Sequence, residues 1–224
     1  MPQLLRVSRR LLLCASLVCL LPPSSAGATS LALDFTAGNG VNKVCGSVNA
    51  PGCVGGWSFT VLSNITVTAL GIWDEGSAAL VSSHPVGLWT GDGLTQLATA
   101  TVTNASTPVA SIGPGRWLFE SISPVVLTPG SYVIAAFYLP GDTGDMLRIN
   151  TAAPSLIPQI TLTHALAQLP IGSLTFPTIV AGSNEPGLFG ANFQVEAQAV
   201  PEPASLTLLA MGLGTLFAFR RRRA

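Results

Sequence analysis

Nine acidic residues, two histidines and two cysteines are the reactive side chains between residues 29 and 199. Asp74, Glu75, Asp92, Glu120, Asp142, Asp145 and Glu185 are the carboxylates to weigh for glycoside hydrolysis. That reaction needs two of them facing each other, roughly 5–9.5 Å apart. Most sit beside glycine, as in Gly91-Asp92-Gly93 and Gly141-Asp142-Thr143-Gly144-Asp145. Such sequences build solvated turns, because glycine and aspartate both suit the backbone angles that turns require. A calcium ion held by Asp142 and Asp145 is a second reading, but no EF-hand spacing completes the ligand set. His84 and His164 could each serve a Ser-His-Asp site on paper. No Gly-x-Ser-x-Gly turn supports one, and His84 before Pro85 reads as a strand-edge residue. No catalytic residue and no metal ligand is assigned from these patterns.

The aromatic residues make a stronger case for binding than the carboxylates do for catalysis. Sugar rings present apolar C–H faces that stack on exposed aromatic rings. Trp57, Trp73, Trp89, Trp117, Phe137 and Tyr138 are the available platforms. Trp73 is the best of them, since Asp74, Glu75 and Gly76 place it at a strand end beside polar groups, so Trp73, Asp74 and Glu75 are the candidate glycan contacts. The competing reading is burial, the usual fate of tryptophan in a β-sandwich. Cys45 and Cys53 flank a run of turn-formers, Gly46 to Gly52. In an oxidising compartment a disulfide is the favoured reading. Metal binding would need further ligands close by, and a reactive thiol pair lacks the C-x-x-C spacing.

The elements that position these residues are strands. Short β-branched and apolar runs recur between Gly, Pro, Asn and Asp, with no sustained helical period. That pattern predicts an all-β fold, a single β-sandwich. Strands are expected at 31–36, 57–61, 64–73, 86–90, 97–103, 116–122, 124–127, 131–139 and 192–197. Gly91-Asp92-Gly93 reads as a hairpin turn and Pro129-Gly130 as a second turn. Residues 151–186 hold five prolines and read as a long excursion, with short strands at 159–163 and 174–176. Such a loop is either functional or a cover over an open sheet edge.

Both flanks of this domain address it elsewhere. Arg6, Arg9 and Arg10 precede the apolar run Leu11–Leu21, and Ser24-Ser25-Ala26 and Ala26-Gly27-Ala28 fit small-x-small cleavage. Residues 1–28 therefore read as a secretory signal peptide. Val18 precedes Cys19 and Leu13 precedes Cys14, which argues against lipid attachment at either cysteine. At the other flank stand Val200, Pro201, Glu202 and Pro203, the uncharged run Ala204–Phe219, and Arg220, Arg221, Arg222 and Arg223. Sixteen uncharged residues span roughly 24 Å as a helix, short against a bilayer core of ~30 Å. The arginine cluster stays cytoplasmic and leaves the domain on the opposite side. The prolines keep the preceding residues extended, in a form that a processing enzyme can grip.

Residues 200–224 resemble the PEP-CTERM sorting signal of Gram-negative bacteria, with its Pro-Glu-Pro motif, short transmembrane helix and arginine cluster in order. The resemblance implies an exosortase as partner, a transient membrane anchor, cleavage near Pro201-Glu202-Pro203, and delivery to the cell surface or beyond. It also implies a setting of exopolysaccharide.

Charge is the clearest exclusion. Residues 29–199 carry three basic residues (Lys43, Arg116 and Arg148) against the nine acidic ones, a charge near −6. A nucleic-acid partner needs a basic face, and so does electrostatic binding to anionic lipid. About 170 residues are enough for one packed core. Trp57–Val61, Ile65–Gly71, His84–Trp89, Leu97–Ala100, Trp117–Glu120, Pro124–Leu127 and Gly130–Ala135 together resemble a secreted bacterial β-sandwich, domain of unknown function 4082. That resemblance covers roughly residues 35–138 and implies a jelly-roll-like architecture with no catalytic residues to carry over. The expectation is a non-catalytic surface or matrix protein without a cofactor. A carbohydrate-binding module is the first alternative and a glycan hydrolase the second.

Overall fold

A computed structural model of the chain describes residues 28–34, 41–43, 52–75, 79–113, 115–139, 145, 147–149, 154–169, 171–181 and 187–197. Among them there is no α-helix, and no helix long and apolar enough to cross a membrane. The strands are β1 (Thr29–Leu31), β2 (Leu33–Asp34), β3 (Val41–Lys43), β4 (Cys53–Val61), β5 (Ile65–Asp74), β6 (His84–Thr90), β7 (Gln96–Val102) and β8 (Thr107–Ala110). They continue with β9 (Arg116–Leu127), β10 (Gly130–Tyr138), β11 (Leu147–Ile149), β12 (Ser155–Leu156), β13 (Ile160–Gln168), β14 (Ile179–Val180) and β15 (Ala191–Glu196).

Two antiparallel sheets form the sandwich, one ordered β1-β15-β5-β9-β8 and the other β14-β13-β4-β10-β6-β7. The pairs β4–β10, β5–β9 and β6–β7 are nested in sequence, which is a jelly-roll-like winding. β13 then adds beside β4, and β15 beside β5. The interior is aromatic. Phe193 of β15 stacks on Trp57 of β4, with centroids 5.9 Å apart, and packs against Phe59 at 5.0 Å. The Trp57 indole N–H crosses between the sheets to the Ala191 carbonyl at 2.8 Å. A buried indole needs such an acceptor, since an unmet N–H costs free energy in a low-dielectric core.

Alternation along the strands shows what lies on the far side of the five-stranded sheet. Phe193 points inward, so its neighbour Asn192 points outward. Directly opposed residues share a face, and the register sets Asn192 against Gly71, Gly71 against Phe119, and Trp73 against Trp117. Asn192, Trp73, Trp117 and Phe119 are nevertheless buried. Chain crossing over the sheet roofs them: Asn192 donates to the Leu33 carbonyl at 2.7 Å, and Trp117 donates to Asp34 at 3.2 Å.

Several expected boundaries differ. Residues 31–36 do not make one strand: β1 and β2 are separated at Ala32, whose N–H turns to the Phe193 carbonyl, and 35–36 lie outside the described residues. The expected break before Pro124 is a bulge within a single strand, β9. Ser121 and Val125 oppose Ala69 and Val67, so four residues of β9 advance against two of β5. A proline with no N–H to give is accommodated where the ladder is interrupted.

The excursion at 151–186 holds a full nine-residue strand, β13, in the main sheet. Its register shift between Leu162 and His164 disrupts the alternation that would betray it in sequence. Residues 174–176 are not a strand. Ile171, Leu174 and Phe176 pack as a strap over Val54, Trp89, Ala135 and Phe137. The strap therefore covers an outer sheet face, while β14 pairs along the edge of β13.

Candidate functional site

β5 ends in Trp73 and Asp74, with Glu75 directly after it, and the opposing start of β9 supplies Arg116 and Trp117. Here the expected glycan contacts come together, in a different role. Trp73 is 1% exposed. Its ring lies edge-on to Trp117 at 5.1 Å, and the Arg148 guanidinium sits 5.6 Å from its centroid. The Trp73 indole N–H donates to Glu75 Oε2 at 2.7 Å, and Arg148 donates from Nη2 to Glu75 Oε1, also at 2.7 Å. Asp74 Oδ2 accepts from Arg116 Nε at 2.7 Å. No ring face is left for a sugar to stack on: Trp73 is core, covered by the Arg148 that Glu75 holds, while Asp74 pairs with its cross-strand neighbour Arg116. Trp57, Trp89, Trp117, Phe137 and Tyr138 are buried as well.

Asp145 and His84 correct two further expectations. Asp145 is buried, not a solvated turn residue, and His84 is fully enclosed although it does open β6. His84 Nε2 meets Asp145 Oδ2 at 2.8 Å, and Nδ1 meets the Phe137 carbonyl at 3.0 Å. A carbonyl only accepts, so Nδ1 carries a hydrogen. The same carboxylate takes the N–H groups of Val81, at 2.9 Å, and Ser82, at 3.1 Å. Burial pushes the Asp145 carboxyl up. The hydrogen bond from His84 and those from Val81 and Ser82 outweigh it, and the carboxyl is held below the usual aspartate range. Both ring nitrogens of His84 are engaged, which leaves none to act as a general base. The oxygens of Asp145 face N–H donors from three residues.

Asp34, Asp92 and Glu120 are held by the fold in the same way. Asp34 accepts from Ser111 Oγ, the Ile112 N–H and Trp117. Asp92 closes its hairpin by accepting from Thr90 Oγ1 at 2.6 Å and the Leu94 N–H at 3.1 Å, which hold its carboxyl below the usual range. Glu120 accepts from Ser106 Oγ at 2.8 Å. Among the described residues no group of three or more His, Cys, Asp and Glu is arranged to hold a metal ion. Cys53 is fully buried at the start of β4. Cys45, Asp142, Glu185, Val200, Pro201, Glu202, Pro203 and Arg220–Arg223 lie outside the described residues.

A cleft of about 340 Å³ opens at the end of the sandwich where the last strand finishes, with Asn64, Thr66, Gln159, Glu196 and Ala197 on its walls. There the Ala197 N–H donates to the Ala28 carbonyl, and Thr29 pairs with Glu196. Chain therefore enters and leaves the domain side by side. Beyond this exit, residues 199–223 match the family model of the PEP-CTERM protein-sorting motif. No curated protein and no solved structure matches the chain. An antiparallel β-sandwich joined through Ala197 to a PEP-CTERM protein-sorting motif is a protein marked for export, exosortase processing and delivery to the cell surface.

Proposed function

We propose that the domain is a non-catalytic surface or matrix protein that works by association, in or near exopolysaccharide, after an exosortase has removed its anchor. The single observation that carries this reading is the sorting motif at 199–223, placed directly after a sandwich that ends at Glu196. Asp34, Asp74, Glu75, Asp92, Glu120 and Asp145 accept from internal donors, which supports a structural role over hydrolysis. The acidic body favours partners other than nucleic acid or anionic lipid. The body is read as a member of the secreted β-sandwich family that it resembles in sequence. An oxidising destination suits a Cys45–Cys53 disulfide, and no cofactor enters the proposal.

Glycan binding is the second reading, in a form that does not use Trp73. The specific observation in its favour is a polar row on the six-stranded sheet. The register aligns Thr161 with Thr60, and Thr60 with Ser131, with hydroxyls suited to hydrogen bonding. The test is co-sedimentation of the processed protein with exopolysaccharide from a PEP-CTERM bacterium. Retention in the polysaccharide fraction is expected. A protein that stays wholly in the supernatant, and is silent on a glycan array, contradicts both readings.

A further inference from the structure

Only residues 198–200 separate Ala197, hydrogen-bonded to Ala28, from Pro201 of the sorting motif. Fully extended, the four steps from Ala197 to Pro201 reach at most ~14 Å. Even a hundred-residue enzyme has a radius of gyration of about 13 Å. An enzyme that grips Pro201-Glu202-Pro203 must therefore lie against the end of the sandwich from which the chain emerges.

We infer that this end, formed by the cleft beside Glu196 and the turns around it, is a docking surface for the membrane-embedded processing enzyme. The inference rests on the reading of residues 199–223 as a processed signal. The register fixes which turns belong to this end. Val61 ends β4 against Gly130 and Ile160, Ile65 opens β5 against Leu127, and the Gly91 N–H donates to the Ser131 carbonyl. The turns at 62–64, 91–95, 128–129 and 157–159 thus surround the exit of β15. They expose Leu62, Leu94 and nearby Val126, which are 55%, 86% and 62% accessible.

The described ion pairs of Arg116 with Asp74 and Arg148 with Glu75 lie toward the opposite end of β5. The exit end offers apolar tips, hydroxyls and the carboxylates of Asp92 and Glu196. The partner surface that fits is apolar, with hydrogen-bond donors and few acidic groups. The chain length selects this enzyme over the bilayer as occupant, because it forces contact with whatever holds Pro201.

The test follows the processed fraction of the full chain in cells that carry an exosortase. Leu62→Ser, Leu94→Ser and Val126→Thr combined should lower that fraction about five-fold. Val81→Thr with Ile112→Thr, at the far end, should leave it unchanged. Inserting a flexible Gly/Ser stretch of about twelve residues after Gln198 frees the motif from the body. The insertion should lower processing and abolish the effect of the triple variant. Unchanged processing of the triple variant, or equal loss in the far-end variant, overturns the inference. Faster processing of the insertion variant also overturns it, since the body would then be an obstacle. Absence of processing in the unaltered chain would instead sink the sorting reading itself. Secreted triple variant with native protease resistance shows that its fold is intact.

Discussion

His84 and Asp145 stand 61 positions apart in the chain and meet at 2.8 Å in the interior, where the histidine also holds the Phe137 carbonyl. The pair fastens the segment before β6 to the segment after β10, because Asp145 accepts the Val81 and Ser82 N–H groups as well.

Breaking one partner of a buried pair leaves the other without compensation, at a cost of about 3–5 kcal/mol. Asp145→Asn is expected to lower the unfolding free energy by that order in urea titration. A loss under 1 kcal/mol would mean that the pair is wet and weak.

The same carboxylate predicts the acid behaviour. Its folded pKa lies below the ordinary aspartate value, so its stabilisation is complete above ~3.9 and fades as pH falls through the lower folded value. The urea midpoint of the wild-type protein should fall in acid below about pH 4. The Asp145→Asn variant should start lower and fall less steeply. Parallel curves for the two proteins would contradict the assignment.

Trp73 separates a packing role from a binding role. Truncating a buried tryptophan costs about 3–5 kcal/mol. Trp73→Ala should therefore lower the melting temperature sharply, whether or not sugar is present. A variant with native stability would show that the ring is not core and would restore it as a platform.

Gly93 and Phe176 test the strap. Gly93 has φ of 73°, and a Cβ there would meet the Phe176 ring at 2.6 Å. Gly93→Ala should destabilise by about 1–2 kcal/mol through left-handed strain and displaced packing. Phe176→Ala should speed proteolysis within 171–178 and leave the far sheet protected from hydrogen exchange. Unchanged cleavage would mean that the strap does not depend on this contact.

The strands of the main sheets were legible where alternation is uninterrupted. The expected 64–73, 131–139 and 192–197 lie within one residue of β5, β10 and β15. β4 begins at Cys53 and not at Trp57, because Gly55 and Gly56 look like a turn in sequence but lie flat against β10. β13 was half concealed by its bulge. The pairing of His84 with Asp145 left no local signal, since a glycine-rich context says nothing about a partner 61 residues away. Trp73-Asp74-Glu75 marked a real cluster, but residue types alone could not reveal that Arg148 covers the ring. The sorting motif was readable because its grammar is linear: two prolines, an apolar run and a basic cluster need no tertiary contact to be recognised.

The most direct measurement is mass spectrometry of the form displayed at or released from the cell surface. Exosortase processing predicts that no peptide from Met211–Ala224 is found in that form, while peptides from β4 to β15 are. A surface form that retains an intact C-terminus would contradict the account.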